Sequence, residues 1–224
     1  MFRHIVHALE TVTLIGGGSV SPFVLNRALA LAPQVVAADG GAGVAIEHGL
    51  EPLAVIGDLD SLDPETRARL QPDRVYQISE QDSTDFDKAL GRIHAPMVLG
   101  VGFTGKRMDH YLAVLNSLVR HPAQRCLILG DEDFVFLAPP RLRLDLPQGS
   151  VVSLFPMAEV TGRSEGLEWP IDGIAFAPDG RVGTSNRVVG PVRLGFDAPG
   201  MLVILPLSAL EGTVTALMSA PVWP

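Results

Sequence analysis

The chain has 224 residues, enough for one large domain or two modest domains with hydrophobic cores. Hydrophobic residues make up 47% and charged residues 19%, which is typical of globular proteins and excludes a disordered or fibrous chain. The formal net charge of −8 and the lack of a basic stripe in the sequence argue against a nucleic-acid partner. A polyanionic substrate would therefore have to arrive with its own cation.

A single cysteine, Cys126, leaves no partner for an intrachain disulfide and is typical of a reducing compartment. It lies in an apolar run, where we expect a buried, inert thiol rather than a nucleophile. The sequence has no secretory signal pattern, and no window approaches the roughly 18 apolar residues needed to span a bilayer. We therefore expect a cytoplasmic protein without a membrane partner.

The chain from residue 11 to 138 alternates short apolar runs with segments of helical character. Apolar runs of this length are typical of strands buried on both faces, as in a parallel sheet covered by helices. We therefore predict an α/β fold with an open, mostly parallel sheet flanked by helices, and ligands beyond the carboxyl ends of the strands. The predicted strands are 11–15, 34–38, 53–56, 75–78, 97–101 and 125–129. The predicted helices are 22–31, 42–48, 64–70, 85–92 and 108–120.

The pattern changes after the prolines at 139 and 140. Short apolar segments follow, separated by glycines and prolines, and no long helical period returns. This pattern predicts a smaller, all-β domain, either a sandwich or an open barrel. The apolar segments are 151–155, 171–176 and 201–205. The predicted domains are residues 1–138 and 139–224.

The strongest chemical signal is the sequence Gly-Asp-Leu-Asp-Ser at 57–61, directly after a predicted strand. An acidic turn that caps the next helix needs only Asp63, which leaves Asp58 and Asp60 without that explanation. Two carboxylates at this spacing repel and raise each other's pKa unless a cation lies between them. A calcium loop of the EF-hand type is excluded because Arg69 stands where its bidentate glutamate belongs. We therefore favour Mg²⁺, shared between these carboxylates and substrate phosphates.

A second acidic cluster, Gln-Asp-Ser-Thr-Asp-Phe-Asp-Lys at 81–88, opens a predicted helix. A plain capped helix explains Thr84 and the first-turn acid Asp85. It explains less well why Lys88, one of only two lysines in the chain, lies one turn after Thr84. The alternative is that Asp85 completes the metal site while Thr84, the first-turn amides and Lys88 hold phosphate oxygens.

The second lysine, Lys106, follows a glycine-rich loop at 100–105 and precedes Arg107 at the start of the longest predicted helix. Glycines and basic residues at a helix N-terminus can form an anion site. The loop is not a P-loop, because Met108 stands where Ser or Thr should follow the basic residue. Asp109 could be a charge of the cap region, or it could hold the metal or a substrate hydroxyl.

Four weaker signals remain open between a structural and a functional interpretation. The glycine run at 16–18 could cradle a phosphate or be only a tight turn. Asp39, which ends a predicted strand before two glycines, could face a ligand or belong to an ordinary turn. Trp169 would by default be a core tryptophan, but on a loop it could equally stack on a flat cationic ring. Ser185 and Asn186 could read the edge of a heterocycle or merely form a turn.

In this order and spacing, these motifs resemble the thiamine pyrophosphokinase (thiamine diphosphokinase) family. The likeness covers nearly the whole chain and implies an α/β ATP- and Mg²⁺-binding catalytic domain followed by a β-sandwich domain for thiamine binding and dimerisation. It also implies a homodimer whose active site lies between subunits. The implied reaction transfers a diphosphoryl group from ATP to the hydroxyl of thiamine, giving thiamine diphosphate and AMP. The matching segments are 39–42, 57–61, 81–90, 105–110, 167–173 and 183–186.

The resemblance further implies a role for individual residues, each of which lies in one of those segments. Asp39 and Asp109 would lie near the reacting groups, and either could be the general base. The full set is Asp58, Asp60 and Asp85 for the metal, Gln81, Thr84, Lys88, Lys106 and Arg107 for ATP, Asp39 and Asp109 with those carboxylates for catalysis, and Trp169, Ser185 and Asn186 for thiamine.

Two alternatives remain. The first is another Mg²⁺-ATP phosphotransferase on the same scaffold that acts on a different hydroxylated substrate. The second is a non-catalytic module that binds a metal and a nucleotide. Leu59 and Lys106 depart from the phenylalanine and glycine usual in the family, but neither change removes a proposed ligand.

Overall fold

The computed structural model describes residues 4–105 and 107–224. The chain divides into two units by its internal packing, and the division passes through the helix Met108–Arg120 and the strand Cys126–Leu129. The first unit comprises Met1–Ser117 and Ile128–Gly130, and the second comprises Leu118–Leu127 and Asp131–Pro224. The second unit thus begins earlier in the chain than residue 139, and the assignment of separate functions to two domains stays a prediction.

The first unit is built on parallel strands. Five of its strands lie side by side in the order β7-β2-β3-β4-β5, and each neighbouring pair is parallel. A further parallel pair joins β1 to β6. The strands are β1 (Val6–His7), β2 (Val12–Ile15), β3 (Gln34–Ala38), β4 (Ala54–Gly57), β5 (Val75–Gln77), β6 (Ile93–His94), β7 (Val98–Val101) and β8 (Cys126–Leu129).

Several helices of the first unit begin where a capping side chain can satisfy a free backbone amide. Ser21 accepts from Val24 N at 3.3 Å, and Asp63 accepts from Thr66 N at 2.9 Å. Each of these caps precedes a proline, whose missing N–H is no loss in a first turn. The helices are α1 (Pro22–Leu31), α2 (Gly41–Glu47), α3 (Pro64–Arg69), α4 (Asp85–Leu90) and α5 (Met108–Arg120), with a 3₁₀ turn at Pro72–Arg74.

The core of the first unit lies on its strands. Every residue of β2, β4 and β7 is buried, as expected for strands covered on both faces. The polar Thr13 is buried at no cost in hydrogen bonding, because its hydroxyl donates to the carbonyl of Ala32 at 2.6 Å. Each fully buried Val, Leu or Ile contributes about 1.5–3 kcal/mol to the free energy of unfolding.

The second unit is built on antiparallel strands. The central strand, β14, pairs with β10, β11 and β12, and β11 continues through β15 to β9. A short strand, β13, pairs with β12. The strands are β9 (Asp133–Leu137), β10 (Arg141–Leu144), β11 (Val151–Pro156), β12 (Val160–Leu167), β13 (Ala175–Phe176), β14 (Gly183–Phe196) and β15 (Met201–Pro206).

The prediction of an α/β region followed by strands is confirmed, but the all-β description of the C-terminal part is wrong. After a 3₁₀ turn at Leu207–Ala209, the chain forms a helix, α6 (Leu210–Ser219). Across the chain the pairing is mixed, parallel in the first unit and antiparallel in the second. The open, mostly parallel sheet and the sandwich therefore stay predictions.

The C-terminal helix is tied to its own unit through its last carbonyl groups. The guanidinium of Arg125 donates to the carbonyl of Leu217 at 2.7 Å and to that of Ala220 at 2.8 Å. The carbonyl of Leu217 also accepts from the amide of Ala220 at 3.2 Å, and both carbonyls lie at the C-terminus of the helix, where a cation meets the negative end of the helix dipole. The indole of Trp223 donates to the carbonyl of Ala138 at 2.8 Å and fixes the chain beyond the helix.

Two expectations about the whole chain can be checked here. Cys126 is buried, and burial raises the pKa of its thiol, which confirms an inert core cysteine. Among residues 4–105 and 107–224, no helix combines the length and the apolar character needed to cross a bilayer.

Candidate functional site

Loops that follow five parallel strands line one cleft of about 600 Å³ in the first unit. Because the carboxyl ends of parallel strands lie at the same edge of a sheet, the loops after β2, β3, β4, β5 and β7 meet there. The N-terminal part of α4 and the first half of α5 complete the wall. Asp39, Asp58, Thr84, Lys88 and Arg107 all line the cleft, as the sequence motifs predict.

Glycines allow the loops to approach each other backbone to backbone. The amide of Gly18 donates to the carbonyl of Gly102 at 2.9 Å, and a Cβ on Gly18 would lie only 2.5 Å from that oxygen. A Cβ on Gly41 would lie 2.0 Å from the carbonyl oxygen of Ile15. Both positions exclude any side chain. The glycine run at 16–18, a weak signal in the sequence, therefore forms part of the cleft wall.

The acidic loop after β4 is oriented by the leucine at its centre. Leu59 is buried and packs with Ala37, Val55 and Leu62. Its φ of 67° lies in the left-handed region, at a cost of about 1–2 kcal/mol for a residue with a Cβ. With Leu59 directed into the core, the carboxylates on either side of it are displayed on the outer side of the loop.

Asp39 joins this acidic pair, although it lies far from it in sequence. Ligand oxygens of Asp39, Asp58 and Asp60 all lie within 4.8 Å of one another. Asp39 is 4% exposed, and its Oδ1 has no hydrogen-bond partner among the described residues. Burial raises the pKa of Asp39, and the nearby carboxylates of Asp85 and Asp58 act in the same direction. Sequence reasoning placed Asp39 near the reacting hydroxyl but did not include it in the metal site.

Lys88 is buried between two carboxylates. Its Nζ lies 2.8 Å from Oδ2 of Asp58 and 3.2 Å from Oδ1 of Asp85. Burial alone would lower the pKa of Lys88, but the two carboxylates outweigh it and raise that pKa above its ordinary value. The hydrogen bond from Lys88 in turn lowers the pKa of Asp58. Lys88 therefore contacts two of the predicted metal ligands.

The start of α4 is ordered by two side-chain caps. The hydroxyl of Thr84 accepts from the amide of Asp87 at 3.3 Å, as expected for an N-cap. Just before it, Glu80 accepts from the amides of Asp82 at 2.9 Å and Ser83 at 3.2 Å, and the Ser83 hydroxyl holds the pKa of Glu80 below its usual range. Sequence reasoning missed Glu80, because one acid before an acidic cluster gives no separate signal.

Two glutamines contact the loop that carries Asp58. The side chain of Gln81 lies 3.5 Å from Oδ2 of Asp58, which is a long contact. Gln77, which the sequence did not single out, donates to the carbonyl of Asp58 at 3.0 Å. These contacts connect the end of β5 and the loop before α4 to the acidic loop.

Arg107, a predicted basic residue just before α5, is exposed, unlike the buried Lys88. Arg107 makes a bidentate pair with Asp109, with Nη2 to Oδ2 at 2.6 Å and Nε to Oδ1 at 3.2 Å. This pair lowers the pKa of Asp109. Both side chains are exposed, so the pair contributes little to stability and can open when a ligand binds. Lys106, predicted to contact phosphate, lies outside the described residues.

The predicted thiamine residues lie together in the second unit. Trp169 is 53% exposed, so the default interpretation as a core tryptophan is wrong. Asn186 is buried and holds the Trp169 backbone, accepting from its N–H at 3.2 Å and donating to its carbonyl at 2.7 Å. The guanidinium of Arg187 lies 5.9 Å from the centre of the indole ring. Ser185 is exposed, with a φ of 61° and its amide bonded to Ser153 Oγ.

The comparisons with known proteins agree with this arrangement of motifs. A model described as the catalytic domain of thiamin pyrophosphokinase matches residues 25–129, and one described as its vitamin B1 binding domain matches residues 141–200. The chain is 27% identical over 182 residues to thiamine pyrophosphokinase 1 of Oryza sativa subsp. japonica, covering 73% of this chain and 68% of that one.

Solved structures resemble the fold at lower identity. Thiamin pyrophosphokinase from Candida albicans superimposes with a TM-score of 0.74 at 17% identity, covering 88% of this chain and 89% of that one. Thiamin pyrophosphokinase from Geobacillus thermodenitrificans superimposes with a TM-score of 0.71 at 23% identity, covering 89% of this chain and 100% of that one. Because both domain models of one family match in chain order and over most of the sequence, the chain belongs to the thiamin pyrophosphokinase family.

Proposed function

We propose that this chain is a thiamine diphosphokinase that transfers a diphosphoryl group from ATP to the hydroxyl of thiamine, giving thiamine diphosphate and AMP. The observation that supports this most directly is that Asp39 and Asp58 line one cleft together with Lys88, with a carboxylate oxygen of Asp60 within 4.8 Å of theirs. Phosphoryl-type transfer depends mainly on positioning and on neutralising charge, and this cleft offers groups for both. The acceptor is assigned through the family to which the chain belongs.

The carboxylate cluster fits a hard divalent cation such as Mg²⁺. Oxygen ligands are the ones that Mg²⁺ prefers, and Oδ1 of Asp39, which has no hydrogen-bond partner in the part of the chain that the structure describes, adds negative charge beside them. Asp58 and Asp60 would hold the metal, with Asp85 as the third predicted ligand, and Asp39 beside them would keep its free oxygen for the acceptor hydroxyl. When bound, Mg²⁺ would neutralise charge on the phosphates of ATP.

Charged and neutral residues of the cleft would contact ATP in different ways. Lys88 can move from its carboxylate partners to a phosphate oxygen once a metal compensates those carboxylates. Arg107 can leave Asp109 for a phosphate, because both side chains are exposed. Gln81 and Thr84, which line the same cleft, offer neutral hydrogen-bonding groups to ATP.

Asp39 is the better candidate for the proton acceptor. Asp109 is already paired with Arg107, whereas Oδ1 of Asp39 is buried and has no hydrogen-bond partner among the described residues, and a carboxylate oxygen of Asp39 lies within 4.8 Å of those of Asp58 and Asp60. A thiamine hydroxyl that donates to Oδ1 would satisfy that oxygen and pass its proton to it as the bond from the thiamine oxygen to the β-phosphorus of ATP forms and the bond from that phosphorus to the leaving AMP breaks.

The second unit would bind thiamine through Trp169. The exposed indole offers a flat face on which a cationic aromatic ring can stack, and Asn186 fixes the backbone on which that indole is carried. Ser185, exposed beside Asn186, offers a hydroxyl to the edge of the ring.

The finer expectations belong to the same proposal. They are a homodimer whose active site lies between subunits, an open, mostly parallel sheet in the first unit, a sandwich in the second, and a cytoplasmic location. The dimer is supported by the family resemblance, and the location by the single, buried cysteine.

One assay tests the proposal. Purified protein is incubated with ATP, Mg²⁺ and thiamine, and the products are separated by chromatography. We expect thiamine diphosphate and AMP in equal amounts, and neither without Mg²⁺. AMP formation only with another hydroxylated acceptor would favour a related phosphotransferase, and nucleotide binding without turnover would favour a non-catalytic module.

A further inference from the structure

Three histidines that the proposed reaction does not use cluster at the β1–β6 pair. His7 and His94 are directly paired in the parallel register of these strands, and His4 lies just before β1. The ring centres are 5.2 Å apart for His4 and His94, 5.7 Å for His4 and His7, and 5.8 Å for His7 and His94. All three side chains are exposed. Two segments more than eighty residues apart thus contribute to one triangle of imidazoles.

The size of this triangle matches a trihistidine metal site. In a tetrahedral site each ring nitrogen lies about 2 Å from Zn²⁺, which puts the ring centres about 3 Å from the metal and about 5 Å from each other. The three observed separations lie close to that value. The backbone therefore already holds the rings at the spacing that a metal ion requires.

Only the orientation of the rings has to change. The ring planes are inclined to each other by 30°, 53° and 83°. The nitrogens of the three rings are not yet close enough to share one ion. Among the described residues, the ligand atoms that all lie within 4.8 Å of one another belong to Asp39, Asp58 and Asp60. Exposed imidazoles turn easily about χ2, so convergence of their nitrogens needs no movement of the backbone.

The chemistry of the ligands selects the metal. Neutral imidazole nitrogens suit Zn²⁺, Ni²⁺ and Cu²⁺, whereas Mg²⁺ takes oxygen ligands. We propose that His4, His7 and His94 form a site for a divalent transition-metal ion of this class, distinct from the carboxylate site in the cleft. Three protein ligands leave a fourth position for water.

Such a site would fasten the N-terminal strand to the body of the first unit. β1 is held by backbone hydrogen bonds from the amides of Ile5 and Val6 to the carbonyl of Arg92 and from the amide of Ala8 to the carbonyl of His94. A metal bound only in the folded state would stabilise this attachment in proportion to the logarithm of its concentration.

The test measures Zn²⁺ binding to untagged, metal-free protein by calorimetry, with excess Mg²⁺ present to occupy the carboxylates. His7→Ala and His94→Ala remove a ligand from each strand, and His48→Ala, an exposed histidine at the end of α2, is the matched control. We expect one Zn²⁺ per chain in the wild type. Loss of a ligand should weaken binding at least about tenfold, and the control should bind as the wild type does.

A second measurement keeps the test independent of folding. Imidazole nitrogen resonances of His4, His7 and His94 should shift on addition of Zn²⁺ and stay unchanged with Mg²⁺ alone, while thermal unfolding in chelator should be the same for all variants. The proposal is overturned if the His94→Ala protein binds Zn²⁺ as tightly as the wild type. It is equally overturned if the three resonances do not respond to Zn²⁺.

Discussion

Lys88 and Asp39 are both buried charged side chains, but only one of them is compensated. Lys88 has two carboxylates within 3.2 Å, as a buried ammonium requires, whereas Asp39 has an oxygen without a donor among the described residues. Since Lys88 neutralises one side of Asp58, the excess negative charge is concentrated toward Asp39 and Asp60. At the scale of single residues, the uncompensated negative charge of Asp39 and Asp60 therefore favours the binding of a cation.

Asp60→Asn should abolish turnover and leave the fold intact. Asp60 is exposed, and among the described residues its carboxylate accepts from the Ser61 hydroxyl while its backbone amide donates to Asp58, so loss of the carboxylate affects the cation site more than the packing. We expect Mg²⁺-dependent AMP release to fall at least about a hundredfold, with thermal unfolding nearly unchanged. Asp73→Asn, at an exposed acid in the 3₁₀ turn, is the control. Near-normal turnover in Asp60→Asn would contradict the metal assignment.

Asp39→Asn should also abolish turnover, but it should stabilise the metal-free protein. An asparagine cannot accept the hydroxyl proton, whereas it removes a buried charge from the vicinity of Asp58 and Asp85. Urea unfolding at pH 7 in chelator should show a gain of about 1 kcal/mol in the free energy of unfolding. A loss of both stability and activity would mean that Asp39 serves the fold rather than the reaction.

At the scale of elements, the site depends on the loops that follow the carboxyl ends of the parallel strands. The loops after β2, β3 and β7 meet through glycines that admit no Cβ, and the loop after β4 is anchored by Leu59. In the second unit, connections between strands rely on polar contacts instead. Asp197, just after β14, accepts from both the amide and the hydroxyl of Thr161 near the start of β12.

This connection should make part of the second unit's stability depend on pH. The Thr161 hydroxyl and amide lower the pKa of Asp197 below its ordinary value of 3.8. A carboxyl whose pKa is lowered by folding stabilises the protein above pH 3.8, and that contribution is lost as the pH falls through the lower, folded value.

Asp197→Asn tests this contribution, because asparagine resembles the protonated carboxyl. The side chain is exposed, so we expect a loss of only about 1–3 °C in Tm at pH 7. The difference in Tm between Asp197→Asn and the wild type should shrink as the pH falls below 3.8. Asp179→Asn, another exposed acid of the same unit, should show no such trend. If the difference in Tm between Asp197→Asn and the wild type is the same at all pH values, the ionised carboxylate of Asp197 is not what stabilises the wild type.

At the scale of the whole molecule, the sequence predicted the first unit better than the second. The buried strands of a parallel sheet are continuous apolar runs, so β2, β3 and β7 were predicted to within about one residue. α6 was missed because its period rests on only Leu210, Val214 and Leu217 and is interrupted by Gly212. β14 was missed because Gly190 and Pro191 read as a break, although a bulge opposite Gly166 accommodates them.

The candidate site was predictable only as far as local spacing allows. The pair of Asp58 and Asp60 is visible in the sequence, because one apolar residue separates two carboxylates. The addition of Asp39 to the pair was not, since it depends on the pairing of β3 with β4 and on a φ of 43° at Asp39. Likewise, the exposure of Trp169 follows from its loop and its bonds to Asn186, which no sequence period encodes.

The proposed dimer makes a prediction about the whole assembly. If each active site combines the cleft of one subunit with Trp169 of the other, Asp60→Asn and Trp169→Ala damage different sides of the same site. Trp169→Ala alone should raise the KM for thiamine more than the KM for ATP, because stacking concerns only the acceptor. Activity is therefore compared at thiamine concentrations well below the KM of the Trp169→Ala protein.

Coexpression of the two variants should then restore activity that neither has alone. A mixed dimer would place both substitutions in one site and leave the other site intact, so random pairing should give about a quarter of wild-type activity. Coexpression of Asp60→Asn with Arg107→Ala, which both alter the cleft, should restore none. If the first pair also restores nothing although mixed dimers form, the cleft and Trp169 of one subunit serve the same site.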